Sequence, residues 1–246
     1  MLDGVFRTYA QSAKVGSLVR SLGWRAPVLP QSMYIFKPPA IGGDVTPHQD
    51  ATFLWTEPRQ TVVGLWLALE DASEANGCLW ARAGSHAEPV RRQFARNAAH
   101  FAGNSSAPMM VFKDLALPPS PLAAGTAEGA AGLAPGSGVA VSWAETEAAP
   151  AAGPDNDALA AARAALVASG FAPLPVQAGD LVVIHGALDH ASLPNRSAKS
   201  RHSFQLHAIE GPAAGVVWSP ANWLQNPNLS TPFPPLHAGE DTQGEL

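Results

Sequence analysis

A single cysteine, Cys78, stands among 246 residues, so no disulfide can form within the chain, and the expected setting is reducing and intracellular. Long apolar runs are also missing. Without about 18 consecutive apolar residues no membrane span is expected, and no secretory leader opens the sequence, which makes a soluble, cytoplasmic protein the default expectation. Charge is sparse, with a net value of -5 and 15 Lys and Arg scattered singly apart from Arg91 and Arg92. No basic stripe could track a phosphate backbone, so nucleic acid is not an expected partner and a small molecule is.

What the chain does contain is turn chemistry. Its 22 Gly and 23 Pro punctuate short segments rich in Val, Ile, Leu, Phe and Trp, the pattern of an all-β domain. Strands are predicted over 32–37, 61–69, 77–82, 180–184, 191–193, 202–209 and 216–218, a spacing that favours a barrel or sandwich over a doubly wound sheet. Helical periodicity over 5–22 predicts a flanking helix stopped by Gly23, and Ala-rich residues 157–169 predict a second, capped by Asp155 or Asn156 and ended by Gly170. A hydrophobic content of 46% suffices for one core, so residues 1–246 are expected to form one catalytic domain. Residues 117–154, dominated by Ala, Gly, Pro and Ser, are expected to be a low-complexity surface insertion, and the tail after Trp223 to be irregular.

Three separated stretches carry the chemistry. His48 and Asp50 form a His-x-Asp triplet behind Pro47, and His190 follows the apolar strand ending at Ile184. Two imidazoles and one carboxylate can occupy one face of a ferrous ion and leave the opposite positions for a chelating co-substrate and dioxygen. The triplet alone is weak evidence. It gains weight because residues far apart in sequence meet at one mouth of a barrel when they sit at neighbouring strand ends. Arg201 opens a further strand, and its planar fork of donors suits a carboxylate held by two parallel hydrogen bonds, which Lys cannot copy. A dicarboxylic keto acid such as 2-oxoglutarate meets that demand, with the Ser192 hydroxyl as a second donor.

Several of these stretches also resemble the phytanoyl-CoA dioxygenase family. The matching motifs are Gln31 to Pro38, Thr46 to Ala51, Gly64 to Asp71 around Trp66, Asn76 to Trp80, Gly84 to His86, His185 to His190, Asn195 to Ser197, Arg201, and Trp218 to Trp223. The resemblance implies a cupin-like jelly roll, or double-stranded β-helix, with flanking helices around an all-β core. It further implies Fe(II) held by His48, Asp50 and His190, and 2-oxoglutarate contacted by Met33, Trp66, Ser192 and Arg201, with Gln49 placed beside it between two ligands. The implied reaction is hydroxylation coupled to decarboxylation of the co-substrate to succinate, with ascorbate as an accessory reductant. Asp50 argues against the related halogenating enzymes, which carry a small residue at that position. Such relatives begin with a longer N-terminal section that adds helices and a Lys near the co-substrate. Its absence here predicts weaker co-substrate binding and an uncovered sheet edge, and leaves organellar targeting open.

Competing readings stay open at this level. Met33 and Trp66 are as easily plain core, Ser192 an ordinary strand-end hydrogen bonder, and Arg201 half of a sheet-edge ion pair. His185 reads as a satisfied core histidine, and it or Asp189 as an orienting partner for the ligand imidazole. His207 reads as a pocket-lining residue, His86 as fixing a turn, and Cys78 as a small buried hydrophobe. Arg82, Arg91, Arg92 and Arg96 could meet an anionic substrate or simply form a solvated face. A degenerate family member without activity, and a cupin-like metal protein with other chemistry, are the alternatives to an active hydroxylase.

Overall fold

A computed structural model describes residues 3–115, 156–225 and 233–237. In chain order its helices are α1 (Gly4–Ala10), α2 (Ala13–Ser21), α3 (Ala98–Phe101) and α4 (Asn156–Ala168). The strands are β1 (Pro27–Lys37), β2 (Val45–His48), β3 (Thr56–Glu57), β4 (Val63–Ala68), β5 (Leu79–Arg82) and β6 (Arg92–Arg96). They continue with β7 (Met110–Asp114), β8 (Phe171–Leu174), β9 (Leu181–His185), β10 (His190–Ser192), β11 (Arg201–Glu210) and β12 (Val217–Trp218). Residues 117–154 of the expected insertion lie outside the described residues. No helix among the described residues is long and apolar enough to cross a membrane.

Two four-stranded antiparallel sheets, ordered β1-β11-β4-β9 and β2-β10-β5-β8, form the jelly roll and share a core. Trp66 and Ile184 from the first sheet pack with Trp80, Phe171 and Ala191 of the second. Because successive side chains alternate across a strand, each strand of the first sheet has one row toward this interior and one away from it. The outward row is apolar and carries α1 and α2. Val63, Leu65, Phe204, Leu206 and Ala208 pack there with Ala10, Val15 and Val19, and Phe204 meets Phe6 with ring centroids 4.6 Å apart. Each fully buried side chain of this size contributes about 1.5–3 kcal/mol.

The seven predicted strands are all present, with ends shifted by a few residues. The single helix expected over 5–22 is two helices, because the Ser12 side chain caps α2 by accepting from the Val15 amide, a local bond that competes with helical continuation. Gly23, at φ +107°, follows the second helix as expected. Five strands, β2, β3, β6, β7 and β8, lie outside the predicted ranges, and two of them, β2 and β8, contain Pro47 and Pro173. Both are edge strands, where a missing backbone donor leaves no ladder partner wanting.

Candidate metal centre

His48 closes β2 and lies directly opposite His190, the first residue of β10. A 3-10 turn over Asp50–Thr52 then brings Asp50 back beneath the two imidazoles. Ligand-capable atoms of His48, Asp50 and His190 all lie within 4.8 Å of one another. The two loops that carry them are stitched together by backbone contacts: the Ala51 amide donates to Gly186 O at 2.9 Å, and the Gln49 side-chain amide donates to Ala187 O at 2.9 Å. The Gln49 carbonyl accepts from the Arg91 amide at 3.1 Å. Both ends of the Gln49 side chain are thereby hydrogen-bonded within the protein, which ties the two loops together.

Hydrogen bonding settles the imidazole tautomers. His48 Nδ1 is 2.8 Å from Thr46 O and His190 Nδ1 is 3.1 Å from Leu188 O. A carbonyl only accepts, so each Nδ1 carries the proton and each Nε2 presents a lone pair. These two Nε2 atoms stand 3.5 and 3.6 Å from the same oxygen, Asp50 Oδ1. Three electron-rich atoms therefore converge, an arrangement that a cation between them relieves. Burial, followed by the neighbouring His48 and His207 and against the pull of Asp50, pushes His190 down to about 4, which keeps its imidazole in the neutral, ligating form. Burial also opposes charge on Asp50, but His190 and His207 outweigh it and hold the carboxyl well below the usual range. Burial acts against protonation of His48 too; there the Asp50 carboxylate prevails, and the net shift is upward.

The orienting groups are thus backbone carbonyls two residues before each histidine, and not His185 or Asp189. His185 is exposed at the end of edge strand β9, where its Nδ1 accepts from the Ala187 amide, so it is no core histidine. Asp189 is 3% exposed and binds Arg82 and Arg91, which also lie against Glu88. Arg92 lies 3.4 Å from Asp114, and Arg96 stacks on Phe101. Arg82, Arg91 and Arg92 are accordingly engaged with protein carboxylates and do not form the anion-seeking rim that the sequence left open.

A second polar zone lies along the inward row of β11. Arg201 is 1% exposed, donates to Gly77 O at 3.2 Å and to Ser203 Oγ at 2.7 Å, and has its guanidinium 5.3 Å from the Trp66 ring centre. No carboxylate among the described residues pairs with it, which removes the sheet-edge ion pair as its explanation. Burial lowers its pKa to about 10. An uncompensated buried cation is unfavourable, so the zone is complementary to an anion. Ser192 is buried two residues beyond His190 on β10, and Met33 is half-buried on β1 opposite Gln205, the residue that Trp66 also faces from β4.

Sequence reading gave His207 only a general lining role. Its Nε2 is 3.2 Å from Asp50 Oδ2 and 2.9 Å from the Gln205 amide nitrogen. The approach to Oδ2 is off line, so that oxygen has no hydrogen bond although it is buried. Gly64 faces His207 across the sheet, and a Cβ there would lie 3.2 Å from Oδ2. The alternation of β11 held this signal, since His207 shares its row with Arg201.

The jelly roll, with two histidines and an aspartate gathered at its mouth, has the architecture of the 2-oxoglutarate-dependent oxygenases. Its solved likenesses include SnoN, a non-heme alpha ketoglutarate dependent epimerase from nogalamycin biosynthesis. The SnoN complex with Fe3+, alpha ketoglutarate and nogalamycin RO aligns at TM-score 0.57 and 16% identity, covering 96% of this chain and 75% of that one. The carbocyclase SnoK of the same biosynthesis aligns at TM-score 0.52 and 18% identity, covering 95% and 68%. Within that architecture the chain belongs to the phytanoyl-CoA dioxygenase family, which it matches over residues 3–203. It is 42% identical over 236 residues to phytanoyl-CoA dioxygenase domain-containing protein 1 of Mus musculus, and 38% identical over 224 residues to phytanoyl-CoA dioxygenase 1 of Oryza sativa subsp. japonica. These alignments cover 96% and 91% of this chain but 62% and 59% of the relatives' length.

Proposed function

We propose that the chain is an Fe(II)- and 2-oxoglutarate-dependent dioxygenase that hydroxylates a small organic or acyl substrate, releasing succinate and carbon dioxide. One observation carries the reading: ligand-capable atoms of His48, Asp50 and His190 converge within 4.8 Å of one another, with each Nδ1 against a backbone carbonyl and each Nε2 toward the Asp50 carboxylate. When bound, ferrous iron would activate dioxygen, the oxidant, and 2-oxoglutarate would give up two electrons as it loses carbon dioxide, so that one oxygen atom goes to the substrate and the other to succinate. His48, Asp50 and His190 hold the metal. Arg201 binds the far carboxylate of the co-substrate, and its buried charge, with no carboxylate partner among the described residues, is the reason a dicarboxylate is favoured over a simple keto acid. Ser192 donates to the same carboxylate, while Trp66 braces the guanidinium and excludes water from it. Met33 lines the co-substrate's apolar side. Ascorbate keeps the iron reduced between turnovers, and the protein works in the cytoplasm as a single catalytic domain over residues 1–246.

Anaerobic addition of Fe(II) followed by 2-oxoglutarate should produce a weak visible charge-transfer band that His48→Ala abolishes. Iron binding without a band on adding 2-oxoglutarate, together with no succinate release under air, would refute the assignment.

A further inference from the structure

A run of aromatic rings begins at His48 and climbs to the surface. Phe53, just beyond the 3-10 turn, meets the His48 imidazole edge-on with centroids 5.9 Å apart. Its next neighbours are Phe94 on β6 at 5.6 Å and Phe112 on β7 at 6.2 Å. Those two face each other across the β6–β7 pair, 4.8 Å apart. The pair is tied to the body of the protein, because the Arg96 amide donates to Ala221 O at 2.8 Å and Ala95 bridges to Asn222. Phe53 and Phe94 are half-buried, yet Phe112 is 41% exposed.

An ordinary satellite core would bury its outermost ring; here the apolar surface stays open at the end farthest from the metal ligands. Three of the arginines beside it are matched by carboxylates, and Arg96 stacks on Phe101. Arg82 and Arg91 bind Asp189, and Arg92, whose guanidinium sits 5.0 Å from the Phe112 ring centre, lies 3.4 Å from Asp114. Such a wall offers area and ring quadrupoles, and the arginine seated on its outermost ring, Arg92, already faces a carboxylate.

We propose that Phe53, Phe94 and Phe112 form the subsite for an uncharged, apolar group of the substrate, leading it from the surface to the carbon presented at His48. The proposal rests on the dioxygenase reading for what happens at the inner end, and on the rings alone for what binds. It makes the β6–β7 pair the specificity element, with Phe112 as the entry contact and Phe53 as the innermost.

The probe is prodan, an uncharged naphthalene fluorophore whose emission moves to the blue in apolar surroundings and whose binding needs no metal. Phe112→Ala, at an exposed position, and Phe94→Leu, which keeps most of the packing, should each weaken prodan binding about five-fold or more. Circular dichroism checks that both variants are folded. Naphthalenemethanol should displace prodan at lower concentration than naphthoate. Mn(II), but not Zn(II), should quench bound prodan, and Asp50→Ala should remove that quenching. Unchanged prodan affinity in both folded variants would overturn the subsite, and tighter displacement by naphthoate would overturn its preference for an uncharged group. Loss of prodan binding in the variants with Mn(II) quenching that ignores Asp50→Ala would instead leave the subsite and sink the metal assignment.

Discussion

Strand β11 buries both of its faces, and the two could hardly differ more. Toward the helices it presents Phe204, Leu206 and Ala208 to an apolar cluster. Toward the barrel interior it presents Arg201, Ser203, Gln205 and His207, all buried and all polar. Burial of the first row drives folding, because apolar area leaves water and nothing needs a partner. Burial of the second row opposes folding wherever a polar atom lacks its counterpart, and several here do: Arg201 has no carboxylate, and His207 Nδ1 and Asp50 Oδ2 have no hydrogen bond. The difference teaches that one strand is at once scaffold and receptor. Its outer row supplies the stability that its buried polar inner row draws down.

The comparison breaks most sharply at a ligand. His190→Ala should lower Fe(II) affinity by more than about 100-fold, since even residues behind a metal ligand are worth about 10–100-fold. Equilibrium dialysis reads the affinity, and the melting temperature of the metal-free protein should move far less. On the other face the pattern reverses. Phe204→Ala should cost about 3–5 kcal/mol of stability by chemical denaturation, while the folded fraction still binds one equivalent of Fe(II). If that variant lost iron in proportion to its stability, the two rows would not be separable.

Arg201 offers a finer test, because a buried cation without a partner should be a liability until the co-substrate arrives. Arg201→Met should leave the melting temperature of the free protein unchanged or higher, yet weaken 2-oxoglutarate binding by about 2–5 kcal/mol in calorimetric titration of the metal-loaded protein. A fall in both would assign the guanidinium a structural role.

A pH-dependent effect is expected at Lys37, which faces Arg201 across the β1–β11 pair and donates to Leu193 O at 2.8 Å. Burial first, and then the Arg201 charge, lowers its ammonium from 10.5 to about 7. Below pH 7 folded and unfolded chains both carry the proton, and the fold bears the full penalty. Between 7 and 10.5 only the unfolded chain holds it, so this group makes stability rise with pH through that window. Lys37→Met should flatten that rise in denaturation curves recorded across it.

Much of this was legible in the residues. His48, Asp50 and His190 are chemically unusual at their positions, and strand alternation placed Arg201 on the same strand as His207. Edge strands β2 and β8 escaped notice because Pro47 and Pro173 mimic strand breakers, and a breaker at a sheet edge breaks nothing. The hydrogen bonds that hold Gln49 against Ala187 and Arg91 could not be read from its place between His48 and Asp50. Adjacent residues in an extended segment point opposite ways, so proximity in sequence opposed proximity in space. The arginines at 82, 91 and 92 needed partners that no pattern reveals: Asp189, Glu88 and Asp114 find them only through the folded chain.

By itself the sequence determined the class of domain and singled out the candidate trio His48, Asp50 and His190, since turn residues and alternation act locally and only a few side chains can ligate iron. Tertiary structure alone decided which buried charges were matched and which were not, and that three phenylalanines from two separate segments would line up beside His48. Pairing and stacking depend on distances between strands, and no local property of the chain encodes those distances.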